Sequence, residues 1–260
     1  MKLNFAITPC PNDVFSYWAL LENKIENFFE FSFGDIEELN KDAWLALPEI
    51  TKLSFAAYLN LREHYTLLNV GAALGKGTGP VLIARDENVD LASAKIAIAG
   101  VDTTSNLLLK FYAKKTLGDD VILSTIPMHF RSILDALKAG EVDCAVLIHE
   151  GRFVYETLGF KLLSDLGGFW EKETSLPVPL GCICIHNDLI EQKKEVEEKI
   201  YSSIKYAFEN PEKTLPLVKK YADYLDDDVL RKHIYAFVNE YSLDISEIKD
   251  KLIETLELAR

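Results

Sequence analysis

Apolar and polar positions alternate from the first residues. The stretch KLNFAIT, residues 2–8, has the period of two of a half-buried strand. PCPND breaks it, and DVFSYWALLENK, residues 13–24, takes up helical spacing with Asp13 near its start. FEFSFGDI (29–36) alternates again as a second strand, and IEELNKDAWLA predicts a second helix. ITKLSFAAYLNL (50–61) reads as a short strand running into a helix, and YTLLNVGAALG as a third strand-like run. GKGTGPVLIAR (75–85) is a glycine-rich turn feeding a strand.

Near Ser93 the pattern restarts. AKIAIAG (94–100) is a buried strand, VDTTSNLLLKFYAKKTLG a loop then a helix, and DVILSTIPM (120–128) another strand. RSILDALKAGEVD is an amphipathic helix with Gly140 near its end. CAVLIHE (144–150) is the next strand, FVYETLGF a short helix, and KLLSDLGGFWEKET leads into a loop. PLGCICIHNDL (179–189) is the last strand, and the remainder is helical, broken near Pro211 and at Asp226–Asp228.

Strands that alternate with helices predict an α/β chain with mostly parallel sheets. The restart and the helical end predict two lobes. The larger is discontinuous, 1–90 plus 180–260, and the smaller covers 91–179. Ligands of open α/β sheets bind beyond the carboxyl ends of strands, and two-lobed proteins bind them in the cleft between lobes. The segments following the strands, TPCPND, SFAAY, GKGTGP, VDTTSN and HEGRF, are rich in hydroxyls, amides and glycines.

Composition narrows the choice. The chain has 260 residues, 48% hydrophobic and 27% charged, enough for a substantial core. A net charge of −13 argues against a nucleic-acid partner or an anionic membrane surface, but leaves room for a small anion held by local donors. MKLNFAITPCPNDVF does not read as a signal peptide and no window is apolar enough to span a membrane, so a cytoplasmic protein is expected. Oligomeric state, a homodimer included, stays open. The cysteines, Cys10, Cys144, Cys182 and Cys184, lack the spacing of a zinc site and are expected as reduced thiols, with Cys182 and Cys184 on one face of a strand.

His149 is the sharpest candidate for chemistry. An imidazole titrates near neutrality and suits proton transfer, although a histidine at a strand end also serves structure, and Glu150 and Arg152 could simply form ion pairs. Adjacent strand residues face opposite ways, so Glu150 is expected to face solvent. Asp102, Thr103, Thr104 and Ser105 stand before a helix, where they can cap it or, with the first-turn amides, bind a carboxylate. GKGTGP matches neither nucleotide-binding glycine motif, so no nucleotide cofactor is expected; Gly77 could permit a positive backbone angle or close ligand approach. Asn12 and Asp13 can cap the helix after the first strand, Cys10 sits in a loop stiffened by prolines, and Ser54 is either a cap or a ligand donor.

TPCPNDVF, KLSFAAY, GKGTGP, DTTS, LIHEGRF and DLGGFWEKETSLPVPLGC, in this order, resemble the 1,4-dihydroxy-6-naphthoate synthase family of the futalosine route to menaquinone. The resemblance runs from Thr8 to Cys184. It implies a two-lobed fold like the type II periplasmic binding proteins. It also implies a carbon–carbon lyase that converts cyclic dehypoxanthinyl futalosine, a small carboxylate, to 1,4-dihydroxy-6-naphthoate without metal or organic cofactor. It makes His149 the general base and assigns Ser54, Thr103 and Thr104 to substrate binding, with Asn12 and Gly77 as further candidates. Asp102 departs from the family pattern and adds negative charge beside the carboxylate site unless it points away as a cap. Chorismate dehydratase of the same pathway and a small-anion binding module of the same fold are the alternatives.

Overall fold

The computed structural model describes residues 2–148, 151–222 and 226–260, with Phe153 by its backbone only. The first stretch of chain forms β1 (Leu3–Ile7), α1 (Pro11–Leu21), β2 (Phe29–Phe33), α2 (Ile36–Trp44), β3 (Ile50–Ser54), α3 (Phe55–Leu61), β4 (Tyr65–Leu67) and β5 (Ala73–Gly75). Then come β6 (Val81–Ala84), β7 (Lys95–Ile98), α4 (Thr104–Leu117), β8 (Ser124–Pro127), α5 (Ile133–Ala139), β9 (Cys144–Leu147) and α6 (Gly151–Val154). β10 (Lys161–Asp165), α7 (Leu166–Thr174) and β11 (Val178–His186) follow. The chain ends in helices: α8 (Lys193–Glu209), α9 (Pro211–Tyr221), α10 (Asp227–Phe237), α11 (Glu240–Leu243) and α12 (Lys249–Ala259). Among the described residues no helix is long and apolar enough to cross a membrane.

Two compact units divide the chain: Met1–Leu74 with Pro179–Ile253, and Gly75–Val178 with Glu254–Arg260. The first boundary therefore falls earlier than residue 90. The reason is strand pairing, because β6 lies between β9 and β10 in the second sheet. The first sheet has the order β2-β1-β3-β11-β4, with β5 on β11, and the second β10-β6-β9-β7-β8. Both are mixed rather than mostly parallel. β1–β2, β1–β3, β7–β8 and β7–β9 run parallel, each delivered by a helical crossover. β6 pairs antiparallel with β9 and β10, and β11 with β3 and β4.

Local chemistry sets the element ends. Pro11 opens α1, where its missing N–H costs nothing. Asp35 and Glu38 close a capping box on α2. Gly140 ends α5 in the left-handed region at φ +79°, where a side chain would be strained. The core of the first unit packs Phe5 and Ile7 of β1 and Val14, Phe15 and Tyr17 of α1 against Val196, Ile200 and Ile204 of α8. The i, i+4, i+8 spacing on α8 makes one apolar stripe, and each such buried side chain contributes roughly 1.5–3 kcal/mol. In the second unit Val81, Ile83, Ala97, Ala145 and Leu147 meet Ile133 and Leu137 of α5.

β10 and α7 occupy the stretch expected to lead into a loop. β10 is an edge strand with its first two residues exposed, so the alternation that marks a strand is weak. Gly167 and Gly168 lower the helix propensity of α7, which Asp165 caps through Gly168 N–H. Gly167 has a packing reason: a Cβ there would lie 2.7 Å from Gly79 Cα.

Candidate active site

In the first unit, β1 and β3 run parallel with Phe5 beside Ile50 and Ala6 beside Thr51, so their carboxyl ends leave the sheet at one edge. Thr8, Cys10, Asn12 and Asp13 follow β1, and Ser54 ends β3. Asp13 is the hub. Its Oδ2 accepts from Thr8 Oγ1 at 2.7 Å and from Thr8 N at 3.2 Å. Its Oδ1 accepts from Asn12 Nδ2 at 2.9 Å and pairs with the Lys52 ammonium. Asp13 is 2% exposed and Lys52 5%, so this ion pair is buried. Asp13 does not cap α1; Cys10 holds the N-cap position, without a side-chain bond to the helix.

Asn12 is committed inside the protein. A carboxylate only accepts, so the Asn12 amide nitrogen must face Asp13 and its oxygen must face His233. His233 Nε2, at 3.2 Å from that oxygen, is therefore the donor. His233 is fully buried on α10. Ser54 is 2% exposed and its backbone N–H bonds Asn40 Oδ1 at 3.0 Å. That turns the Asn40 amide nitrogen to Ser54 Oγ, at 3.2 Å. Tyr17, packed under this edge, has a fully buried hydroxyl with no partner among the described residues. Burial, with Asp13 and Cys182 nearby, pushes its phenol well above the ordinary value.

In the second unit, β7 and β9 are parallel neighbours, with Ile96 beside Cys144 and Ala97 beside Ala145. Both end at the same sheet edge. β7 leads through Gly100 to Thr103, the N-cap of α4, whose Oγ1 accepts from Asn106 N at 3.3 Å. The same hydroxyl donates to Gly100 O at 2.8 Å, so Ser105 Oγ, 2.9 Å away, donates to it in turn. Thr103 thus caps the helix, and the half-buried Asp102 does not. Thr103, Thr104 and Ser105 are buried, and the first-turn amides of a 14-residue helix stand behind them.

His149 and Glu150 directly follow Ile148 in sequence and lie outside the described residues. Arg152 is placed: its guanidinium donates to the Gly79 carbonyl and reaches Asp165 at 3.4 Å. It thereby ties α6 to the glycine-rich turn and to the start of α7. Gly77 has φ +62°, and its N–H donates to Glu171 at 2.9 Å. The turn there needs glycine for its backbone angle.

Of the six residues singled out in the sequence, Asn12 and Ser54 stand on the first unit, Gly77, Thr103 and Thr104 on the second, and His149 is not described. Lys52, the charge on Asp13 and His233 escaped the sequence reading. A lysine within ITKLSF, flanked by apolar and hydroxyl residues in a strand, was the one available signal. Cys182 and Cys184 lie side by side on β11 with sulfurs 3.8 Å apart. Cys10 is half-buried, whereas the other three cysteines are buried. Among the described residues no group of three or more His, Cys, Asp or Glu side chains could hold a metal ion.

The two mixed α/β sheets with a discontinuous first unit define a periplasmic-binding-protein-like fold. Solved structures agree. The aliphatic sulphonate-binding protein of Escherichia coli superposes at TM-score 0.67 with 14% identity, covering 99% of this chain and 86% of that one. A Candida albicans protein with the generic periplasmic binding protein fold reaches TM-score 0.71 at 13% identity, covering 100% and 90%.

At the level of sequence the chain belongs to the menaquinone biosynthesis family, whose model matches residues 3–257. It is 35% identical to the 1,4-dihydroxy-6-naphthoate synthase of Thermus thermophilus over 98% of this chain and 92% of that one. The enzyme of the same name from Streptomyces coelicolor is 32% identical over 94% and 88%. A crystallised protein of Archaeoglobus fulgidus has TM-score 0.92 and 34% identity, covering 99% and 96%.

Proposed function

We propose that this chain is a 1,4-dihydroxy-6-naphthoate synthase, a carbon–carbon lyase acting on cyclic dehypoxanthinyl futalosine. The observation that carries the reading is its near full-length likeness to two enzymes of that name. The site chemistry is compatible with it. Thr104 and the first-turn amides of α4 receive the substrate carboxylate, and Thr103 holds that turn in place as its cap. Ser54 supplies a further hydroxyl. Asn12 and Gly77 support, the first through Asp13 and His233, the second by shaping its turn. His149, two positions beyond the end of β9 in the sequence, accepts the proton whose removal starts release of the sugar-derived fragment. A neutral imidazole does this near neutral pH without a cofactor.

The test is to incubate the purified protein and a His149→Ala variant with cyclic dehypoxanthinyl futalosine and to follow 1,4-dihydroxy-6-naphthoate. Product from the wild type and a fall of about 100-fold or more in the variant support the lyase and its base. Equal turnover in both removes His149 from the chemistry. A folded wild type that makes no product refutes the synthase. Chorismate consumption, or binding without turnover, then identifies the dehydratase or the binding module.

A further inference from the structure

The last turn of α1, the loop after it, and helices α8 and α9 border a hollow of about 660 Å³ on the first unit. Small-molecule sites span about 300–1,000 Å³. The hollow lies at the far end of α1 from the Asp13 hub, which stands in the first turn of that helix. It is separate from the candidate active site. One side is aromatic: the Trp18 and Tyr206 rings stack with centroids 5.7 Å apart. Pro216 and Leu217 of α9 add apolar wall. Trp18 is 4% exposed, yet among the described residues its indole N–H meets no acceptor. A buried indole ordinarily finds one. Trp170, fully buried, donates to the Pro177 carbonyl at 3.1 Å.

The rim is positive. Lys24, Lys213 and Lys220 line the hollow against one carboxylate, that of Glu22. The chain as a whole carries a net charge of −13, so this is a local reversal. None of the three lysines has an ion-pair partner among the described residues, and Lys213 donates to the neutral Asn210 Oδ1 at 2.8 Å. Other lysines of these helices do pair, Lys219 with Asp227 and Lys193 with Glu197. Helix ends explain part of the pattern. A cation near the C-terminus of a helix complements its dipole, which accounts for Lys24 after α1 and Lys220 on α9. Lys213 stands in the first turn of α9, where the dipole disfavours a cation.

We propose that the hollow is a second ligand site, which takes a planar aromatic carboxylate. The ring packs on Tyr206 and Pro216, the Trp18 indole N–H donates to a carboxylate oxygen, and the lysine ammonium groups hold the negative charge. Lysine acts here as a point charge on a flexible stem, which suits an anion that enters without a fixed fork geometry. The apolar wall supplies contact area, and the charge selects against neutral aromatics. Glu22 opposes a higher negative charge, which favours a monocarboxylate over a phosphate. The inference stands apart from the synthase reading, because it uses no residue of that site.

The probes are 2-naphthoate, its neutral amide 2-naphthamide, and AMP as an aromatic phosphate. Indole 15N–1H signals are followed during titration, with that of Trp18 assigned by its loss in Trp18→Phe. The Trp18 signal is expected to move saturably with 2-naphthoate. Calorimetry on wild type and on the double variant Lys213→Gln/Lys220→Gln is expected to show this site weakened about tenfold. The melting temperature should stay unchanged, because both positions are exposed. Both lysines lie on the first unit and the α4 turn on the second, so 2-naphthoate held at that turn is bound alike by the two proteins. A Trp18 signal unmoved at about 10 mM 2-naphthoate overturns the proposal. So does equal affinity in the double variant, equal affinity for 2-naphthamide, or tighter binding of AMP. Should Trp18→Phe not fold, calorimetry on the lysine variant decides alone: a weakened site supports the proposal, and an unchanged isotherm overturns it.

Discussion

Gly181 faces the stem of Lys52: a Cβ at 181 would come within 2.8 Å of Lys52 Cε. The two sit on neighbouring strands, with Gly181 paired to Ser54 and Ile183 to Lys52. Gly181→Ala is therefore expected to displace the lysine stem. The expected cost is about 1–3 kcal/mol of overpacking, read as a lower urea midpoint. An unchanged midpoint would mean that the flexible stem moves aside freely.

Asp13→Ala removes the partner of a buried ammonium and leaves Thr8 and Asn12 without their acceptor. Breaking a buried pair from one side costs about 3–5 kcal/mol. Equilibrium unfolding is expected to show that loss, and Asp13→Asn to recover part of it through the retained amide oxygen.

Thr103→Ala deletes the cap of α4 and the acceptor for Asn106 N. About 1 kcal/mol of stability should go with it, and Thr103→Ser should restore most of that. Because the capped turn is also the proposed carboxylate site, product affinity is expected to fall in Thr103→Ala and return in Thr103→Ser.

Alkaline pH should destabilise the fold, and two of the groups responsible titrate in reach of measurement. Burial, and then Asp143 beside it, push the Cys144 thiol from 9.0 up to about 11. Burial first, then Cys184 and Cys182, push the Tyr58 phenol from 10.0 up to about 12. Both groups keep their protons longer in the folded chain than in the unfolded one. Stability is thus fully present below the unfolded value and is lost as pH rises through the folded one. Urea midpoints measured across these windows should decline, and Cys144→Ala should flatten the earlier limb. At lower pH, Cys10 is expected to react with a thiol reagent well before Cys144, Cys182 and Cys184.

Much of this molecule is legible in its sequence because the legible parts are local. Period-two runs such as KLNFAIT mark strands, and the stop at Gly140 is written in one residue. What could not be read depends on partners far along the chain. Lys52 makes sense only beside Asp13 and Gly181, which are 39 and 129 positions away. His233 meets Asn12 across 221 positions. The glycines of α7 argue against a helix until Gly79 is seen packed against Gly167. Sheet direction was hidden for the same reason, since β6 and β11 pair antiparallel with strands far from them along the chain.

The discontinuity of the first unit also sets an order of events during synthesis. β11 lies between β3 and β4 in the first sheet, yet more than a hundred residues separate it from either. The strands of the second sheet fall within one contiguous stretch, 75–178. A chain emerging from the ribosome can therefore complete the second sheet while β3 still exposes an unpaired edge. Translation must pass residue 186 before that edge is filled. Chaperone demand, and the toll of a slow codon or a truncation, should concentrate in that interval.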